Sequence, residues 1–450
     1  MTLRSQLTAQ EHRRGLAQGS PKRTRGRLRF FLYQSGPLAT GVTSLLVWPF
    51  LGHIISKAML GELSTALAFS SIIAPALGLG LHLFLANKLA GNESGRTGLA
   101  GKIGFAVSSA LYTMAVLSSV LAFAVPQAGP GWIIVALSFG SAAFLLTSGM
   151  VRGLDAPYVF SAFTLVVQIG GLAVLGVVSG AKRDLAVGVV WYIAIIGLGL
   201  IAQYFMVWRT SDHKSWAGGG RLIGNAVRLV PHLVLAVASL MMMRILVGFQ
   251  SGAESLASYH YASLLIGGTV TVAASLDAHW SVRAQSASSM AAVQSLLERN
   301  QLRIQLSLVF ATTGVLLFCG LALPLWLPPG YDSRPIALTV ILALPAAALQ
   351  AYADGRAALA MWMNRNGLVS SSTAIGVIVS LGVAVVLIPV LGWPVVGVAI
   401  TIGALLRAIS ICWGTWLIAR TFTFSWKANI LVGIQSLAAV AAWIILTMEL

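Results

Sequence analysis

Residues 368–418 read LVSSSTAIGVIVSLGVAVVLIPVLGWPVVGVAITIGALLRAISICWGTWLI, and this stretch decides the fold. Arg407 is its only charged residue. The stretch is long enough to cross a bilayer twice, because each crossing needs about 20 predominantly apolar residues. Pro389 and Pro394 bracket a tight turn near its middle. The stretch therefore predicts a membrane-spanning helical hairpin, with one helix over 368–390 and the next over 394–418.

The rest of the chain repeats this pattern. Its 450 residues are 57% hydrophobic and 9% charged, whereas about a quarter of the residues of a soluble domain are charged. A chain with so little charge cannot cover itself with a polar surface, so we expect lipid to surround it. The sequence predicts an all-α polytopic membrane protein with twelve or thirteen transmembrane helices. The candidate spans are 30–52, 63–86, 103–125, 131–151, 157–179, 186–208, 228–249, 256–282, 304–326, 335–362, 368–390, 394–418 and 428–447.

Lys and Arg are divided unevenly between alternate loops. If the N-terminus is cytoplasmic, 22 of the 29 basic residues lie in cytoplasmic segments and four in outer loops. Cytoplasmic loops of membrane proteins carry an excess of Lys and Arg, so this division predicts a cytoplasmic N-terminus. It also spreads the net charge of +17 over short loops, whereas nucleic-acid binding needs a clustered basic face. We therefore expect no nucleic-acid partner.

The spans divide into two sets of six. The segments Glu62–Ile72 and Glu254–Leu264 are similar to each other, at an offset of 192 residues. Units of six helices keep the same orientation, so two such lobes would be related by a pseudo-two-fold axis along the membrane normal. The predicted units are a disordered basic cytoplasmic tail at 1–29, an N-terminal lobe at 30–208, a cytoplasmic linker at 209–227, a C-terminal lobe at 228–418 and an extra helix within 419–450.

Three blocks of the sequence carry a family resemblance. They contain a leucine-glycine-acidic turn followed by a glycine-rich helix end, a proline-led seventh span with an arginine, and a proline-containing hairpin. The blocks are His53–Glu62 with Ala76–Gly80, Leu229–Pro231 with Met243–Gly248, Glu254 and Tyr259–Ala262, and Leu387–Ala399. The chain thereby resembles the polysaccharide-transport flippases of the multidrug/oligosaccharidyl-lipid/polysaccharide exporter superfamily. It departs from their pattern at Leu63, where a glycine is usual, and at Met243, where an aspartate is frequent.

The resemblance implies a two-lobed bundle whose central cavity alternates its access between the two sides of a bacterial cytoplasmic membrane. The implied substrate is a lipid-linked oligosaccharide or a related polysaccharide precursor of the polyprenyl diphosphate type. The implied partners are this glycan lipid, the membrane lipid and, as candidates, envelope-biosynthesis enzymes. We expect no cofactor and no metal site.

Ionisable residues inside the spans are the candidate site residues, because leaving a charge in a membrane is costly. Arg244, Arg356 and Arg407 are the candidates for binding the diphosphate, since the planar guanidinium matches phosphate geometry. Asp277 and Asp354 are the candidates for ion coupling. Each has a plainer interpretation: Arg244 could extend towards the outer interface, Asp277 could join an interfacial salt-bridge network, and the other three could form structural pairs across helices.

Two other function classes remain open at this point. A multidrug/cation antiporter of the same superfamily would favour an acidic residue inside spans 1 to 6, and these spans hold none away from their ends. A polytopic membrane glycosyltransferase would need acidic residues at the outer face for a metal or a base. The outer loops offer only isolated ones, which are Glu62, Asp184, Glu254 and Asp332. We therefore expect a transporter and not an enzyme.

Overall fold

A computed structural model describes residues 41, 43–82, 85, 94–125, 129–153, 157–210, 219–227, 230–285, 289–363, 365–419, 430 and 432–433. Each of the first twelve candidate spans corresponds to helix within these residues. In this part of the chain, nine helices are long and apolar enough to cross a membrane. The predicted all-α membrane fold is confirmed. The tail at 1–29 and most of the thirteenth candidate span at 428–447 lie outside the described residues.

The N-terminal lobe contains helices α1 to α6. Helix α4 packs against both α2 and α3, and α6 packs against α3, α4 and α5. α1 is Trp48–Ile54, preceded by a π-helical turn at Thr43–Val47; α2 is Lys57–Leu77; α3 is Ser94–Ala124; α4 is Gly129–Gly153; α5 comprises Pro157–Leu165, a π-helical turn at Val166–Gly171 and Leu172–Lys182; and α6 is Leu185–Thr210.

A linker helix, Gly219–Val227, leads into the C-terminal lobe, which contains α7 to α12. Helix α12 packs against α10 and α11, and α9 packs against α10. α7 and α8 form one element, Val230–Gln285, divided at Gly252; α9 comprises Met290–Leu317, a π-helical turn at Phe318–Ala322 and Leu323–Trp326; α10 is Ser333–Trp362; α11 is Asn366–Leu391; and a short 3₁₀ turn at Trp393–Val395 precedes α12, Val396–Ala419.

Glycine makes two of the sharp turns. Gly252 has φ 83° and divides α7 from α8, and Gly392 has φ 78° and ends α11. A residue with a side chain rarely adopts such a φ, so glycine is the residue suited to both positions. Both turns lie at the end of the bundle whose loops hold only Lys57, Lys182, Arg183 and Arg334, which we call the basic-poor end.

Helix α9 begins earlier than the sequence predicts. Its predicted span starts at residue 304, and residues 283–303 were expected to form a loop, whereas the helix begins at Met290. The Ser289 hydroxyl accepts a hydrogen bond from the backbone N–H of Ala292 and so caps the helix at its true start. Hydropathy misses this first part because it carries Glu298, Arg299 and Arg303.

Helix α2 is also shifted, from a predicted 63–86 to Lys57–Leu77. The Ser56 hydroxyl accepts from the N–H of Met59 and caps its start. At the other end, Leu79 and Gly80 have positive φ values of 52° and 65°, and this turn ends α2 at Leu77. The earlier start brings Gly61 into the helix, where it faces the second lobe together with Ser64.

Candidate functional site at the lobe interface

The two lobes meet where α2 packs against α7 and α8. Near the basic-poor end this packing is very close, since a Cβ atom added to Gly61 would lie 2.1 Å from the carbonyl oxygen of Ala253. One turn further along α2, the hydroxyl of Ser64 lies 2.9 Å from Nδ1 of His260. Both side chains are fully buried. A hydrogen bond between buried side chains of different lobes therefore forms part of the interface.

Helix α1 adds two further hydrogen bonds between the lobes. Pro49 has no N–H, so the carbonyl of Leu45, four residues earlier, lacks the α-helical partner it would otherwise have. Trp326 of α9 donates its indole N–H to that carbonyl at 2.7 Å. The Tyr261 hydroxyl of α8 donates to the carbonyl of Trp48 at 3.2 Å. A proline in one lobe thus provides an acceptor for a tryptophan of the other.

Aromatic rings fill the space around these bonds at the basic-poor end. The rings of Trp48 and His260 are 4.2 Å apart in an edge-on arrangement. Tyr261 contacts both Trp326 and Tyr331, with ring centroids 5.5 and 5.0 Å apart. The ammonium of Lys57 lies 5.0 Å from the Tyr331 ring centroid. The lobes are therefore closed against each other at this end by packed rings and three hydrogen bonds.

Arg244 lies on α7 beside this interface. It is 8% exposed and lies close to Tyr259 and His260 of α8. Within the described part of the chain Arg244 has no carboxylate partner, and its Nε atom is buried without a hydrogen bond. The Tyr259 hydroxyl and Nε2 of His260 are buried and unpartnered as well. The site thus combines the guanidinium of Arg244, which no carboxylate neutralises among the described residues, with two buried polar atoms that lack hydrogen-bond partners there.

A cavity of about 260 Å³ opens inside the C-terminal lobe, among α7, α8, α10, α11 and α12. Leu240 of α7 lines it. Arg244 follows Leu240 by four residues, so it lies on the same helix face, about 6 Å further towards the basic-poor end. The polar residues that line the cavity are Gln350, Asp354, Thr373, Ser380 and Arg407.

Asp354 and Arg407 form an ion pair across α10 and α12. A terminal nitrogen of Arg407 donates to a carboxylate oxygen of Asp354 at 2.7 Å. The sequence left open whether Asp354 forms a pair across helices or lines a cavity, and in the structure it does both. The pair neutralises both charges, although Nε and Nη1 of Arg407 remain buried without partners among the described residues.

The remaining two candidates lie elsewhere. Arg356 lies over the ring of Tyr352, 5.5 Å from its centroid, and donates to the Tyr352 hydroxyl at 3.4 Å. It does not line the cavity. Asp277 lies on the described backbone of α8, but its side chain is outside the described residues. The structure therefore brings Asp354 and Arg407 together, places Arg244 one turn from their cavity and separates Arg356 from it.

Sequence reasoning missed most of the neutral site residues. Tyr259 and His260 entered only through the family resemblance, and Ser64 and Trp326 were given no role at the site, because nothing in a single sequence shows which helices adjoin. A signal was available at Pro49, since a proline inside a predicted span leaves the carbonyl four residues earlier without its helical partner. The cavity residues Gln350, Thr373 and Ser380 gave no comparable signal.

Comparisons with known proteins place this geometry in a known fold. No protein-family model and no curated protein matches the sequence. The solved structure of the lipid II flippase MurJ in an inward closed conformation aligns over 93% of this chain and 98% of that chain, at a TM-score of 0.66 and 10% identity. An outward-facing multidrug resistance MATE family transporter of the MOP superfamily aligns over 87% and 96%, at 0.61 and 13%. A MATE transporter of Vibrio cholerae aligns over 89% and 99%, at 0.60 and 14%.

These likenesses confirm the fold that the sequence resemblance implied. At 10 to 14% identity they do not separate a lipid flippase from a multidrug transporter. The chain is therefore an all-helical, multi-pass membrane protein with the two-lobed fold seen in the solved structures of the MurJ flippase and the MATE transporters.

Proposed function

We propose that this chain is a flippase that moves a lipid-linked oligosaccharide or polysaccharide precursor across a bacterial cytoplasmic membrane by alternating access. The observation that carries the proposal is Arg244, a buried cation without a carboxylate partner in the described residues, next to the lobe interface. A charged side chain at the centre of a membrane costs about 2.5–3.5 kcal/mol on insertion scales. An anionic substrate offsets this cost, and a cationic one increases it.

A diphosphate fits the position of Arg244. The guanidinium presents several N–H donors in one plane, which suits the oxygens of a phosphate. Because Arg407 is neutralised by Asp354, we assign the diphosphate to Arg244, and Arg407 stays in its pair with Asp354. Arg356 does not line the cavity, so in this proposal its charge affects the diphosphate only from a distance. Asp277 and Asp354 stay candidates for ion coupling.

The lobe interface supplies the moving part. In the conformation described, three hydrogen bonds and packed rings join the lobes at the basic-poor end. With the N-terminus cytoplasmic, this end faces outwards, and substrate would enter from the cytoplasmic side. Parting these contacts while the opposite ends of the lobes approach each other would carry the head group across, with the lipid tail remaining in the bilayer.

A multidrug/cation antiporter is the second candidate, because several of the structures with this fold are multidrug transporters. The two functions differ in the charge of the substrate that would bind next to Arg244. An organic cation next to an unneutralised guanidinium would experience repulsion in a medium of low dielectric constant.

The experiment is a reconstitution in proteoliposomes with two substrates, a fluorescent polyprenyl-diphosphate glycan and a fluorescent organic cation. We expect the glycan lipid to be flipped, and Arg244→Gln to lower that rate at least tenfold. Arg183→Gln is the matched control, since Arg183 is an exposed arginine of the α5–α6 turn. Transport of the cation without flipping of the glycan lipid would replace this proposal by the antiporter.

A further inference from the structure

The cavity in the C-terminal lobe has a chemistry of its own. Its charged lining residues, Asp354 and Arg407, are joined at 2.7 Å, and the side chain of Arg407 is 10% exposed. Because the two charges cancel, the cavity offers no net charge to a ligand. A bare cation would meet the guanidinium and a bare anion would meet the carboxylate, each at close range. The cavity therefore favours a neutral ligand.

The lining also offers hydrogen bonds that the protein does not use. The amide of Gln350 and the hydroxyl of Ser380 have no hydrogen-bond partner among the described residues. Asp354 uses only its Oδ1 atom in the ion pair. Ser380 is buried, whereas Gln350 and Asp354 are partly exposed to the cavity. This set of donors and acceptors suits a ligand with several groups of both kinds. Hydroxyl groups are both donors and acceptors.

The remaining walls are apolar, and several of them are small. They include Ala346, Gly376, Gly403 and Ala404, which allow a ring to pack closely against the helix backbones. The volume of about 260 Å³ lies below the range of about 300–1,000 Å³ that is usual for drug-sized ligands. A single hydroxylated ring fits this description better than a multi-ring organic cation.

The position of the cavity relative to Arg244 also supports a sugar as its ligand. Leu240 in its wall and Arg244 share a face of α7, about one helical turn apart. In a glycan lipid, the first sugar is bonded directly to the diphosphate. A diphosphate at Arg244 would thus bring that sugar to the mouth of the cavity.

We propose that this cavity binds one neutral sugar residue of the substrate, the residue next to the diphosphate, through Gln350, Ser380 and the Asp354–Arg407 pair. The inference rests on the proposed function for the identity of the ligand, but it predicts binding of a sugar without any lipid. It makes the C-terminal lobe the part of the protein that selects the glycan.

The test is saturable binding of radiolabelled neutral sugars to the purified full-length protein in nanodiscs, with glucose, galactose and N-acetylglucosamine as the probes. We expect one of them to bind in the millimolar range, and Ser380→Ala and Gln350→Leu each to weaken it at least fivefold. Ser371→Ala is the matched control, since Ser371 is an exposed serine of the same helix whose hydroxyl bonds to the carbonyl of Leu368. Circular dichroism and thermal unfolding of every variant identify those that fail to fold.

The outcomes separate this inference from the proposed function. Flipping of the glycan lipid without saturable sugar binding, or with binding that Ser380→Ala and Gln350→Leu leave unchanged, would overturn the sugar site and leave the flippase standing. Sugar binding that both variants weaken supports the site even if the liposome assay fails. Saturable binding of sodium or of an organic cation that displaces the sugar would show that the cavity is not built for a neutral ligand.

Discussion

Gly61→Ala is the substitution that most directly tests the closed lobe interface. The added Cβ would lie 2.1 Å from the carbonyl oxygen of Ala253, 2.8 Å from its carbonyl carbon and 3.0 Å from its Cα. Ordinary van der Waals contact begins at 3.4 Å, so α2 and α8 must separate by 3.4 − 2.1, or about 1.3 Å, at this point. All three contacts are backbone atoms, which cannot rotate away.

The displacement also affects the hydrogen bond one turn along α2. If the helices part rigidly, the 2.9 Å distance between Ser64 and His260 grows to about 4.2 Å, beyond hydrogen-bonding range. A buried polar group left without its partner costs about 1–3 kcal/mol. Since 1.4 kcal/mol is a factor of ten, we expect the closed state at the basic-poor end to lose about one to two orders of magnitude in relative population.

Spin labels on the two lobes measure this effect. One label replaces Arg183 of the N-terminal lobe and the other replaces Leu391 of the C-terminal lobe, since both side chains are exposed at the basic-poor end. Cys319 and Cys412 are first changed to alanine. We expect Gly61→Ala to shift the distance distribution to longer values. Gly314→Ala is the control, because nothing lies within 4 Å of the Cβ that it adds. Identical distributions for Gly61→Ala and Gly314→Ala would refute the reasoning.

Three further predictions follow from the same structure. Trp326→Phe keeps the ring but leaves the carbonyl of Leu45 without its donor, so the spin-label distances should lengthen by less than in Gly61→Ala, whereas Trp413→Phe on the exposed face of α12 should change nothing. Asp354→Asn leaves Arg407 without a charge partner, so thermal unfolding in detergent should show a free energy of unfolding lower by up to about 3–5 kcal/mol. The double variant with Arg407→Met should recover most of this loss. A double variant as unstable as the single one would contradict the prediction. Arg244→Lys keeps the charge but not the planar fork of donors, so flipping should fall between that of the wild type and of Arg244→Gln.

The sequence predicted where the helices lie along the chain, but it predicted little about which helices contact each other. Apolar runs of about 20 residues predicted twelve helices, because a bilayer imposes one length on every span. The same reasoning missed the first part of α9, since charged residues outside the bilayer do not register as hydropathy. It also placed α2 six residues too late, where Ser56 as the helix cap was the better signal.

The candidate site shows the same division. The sequence identified Arg244, Asp354 and Arg407 because a charged side chain inside a membrane is energetically costly and is therefore a candidate for function. Which of them pair was beyond the sequence, since residues 53 positions apart meet only through the packing of α10 and α12. The neutral partners His260 and Ser64 were invisible for the same reason, as they lie 196 positions apart and in different lobes.

If the chain works as the proposed flippase, we expect the position of Arg244 to give the two conformations different affinities for an anion. In the closed interface the guanidinium is buried beside His260 and lacks a carboxylate partner among the described residues, which raises the energy of this state when no substrate is bound. An anionic head group supplies the missing charge, so it stabilises the closed state by its own interaction energy with the arginine. A ligand shifts a conformational equilibrium only through such a difference in affinity. A carrier built in this way closes more readily around its substrate than when empty, and a neutral residue at position 244 would remove that difference.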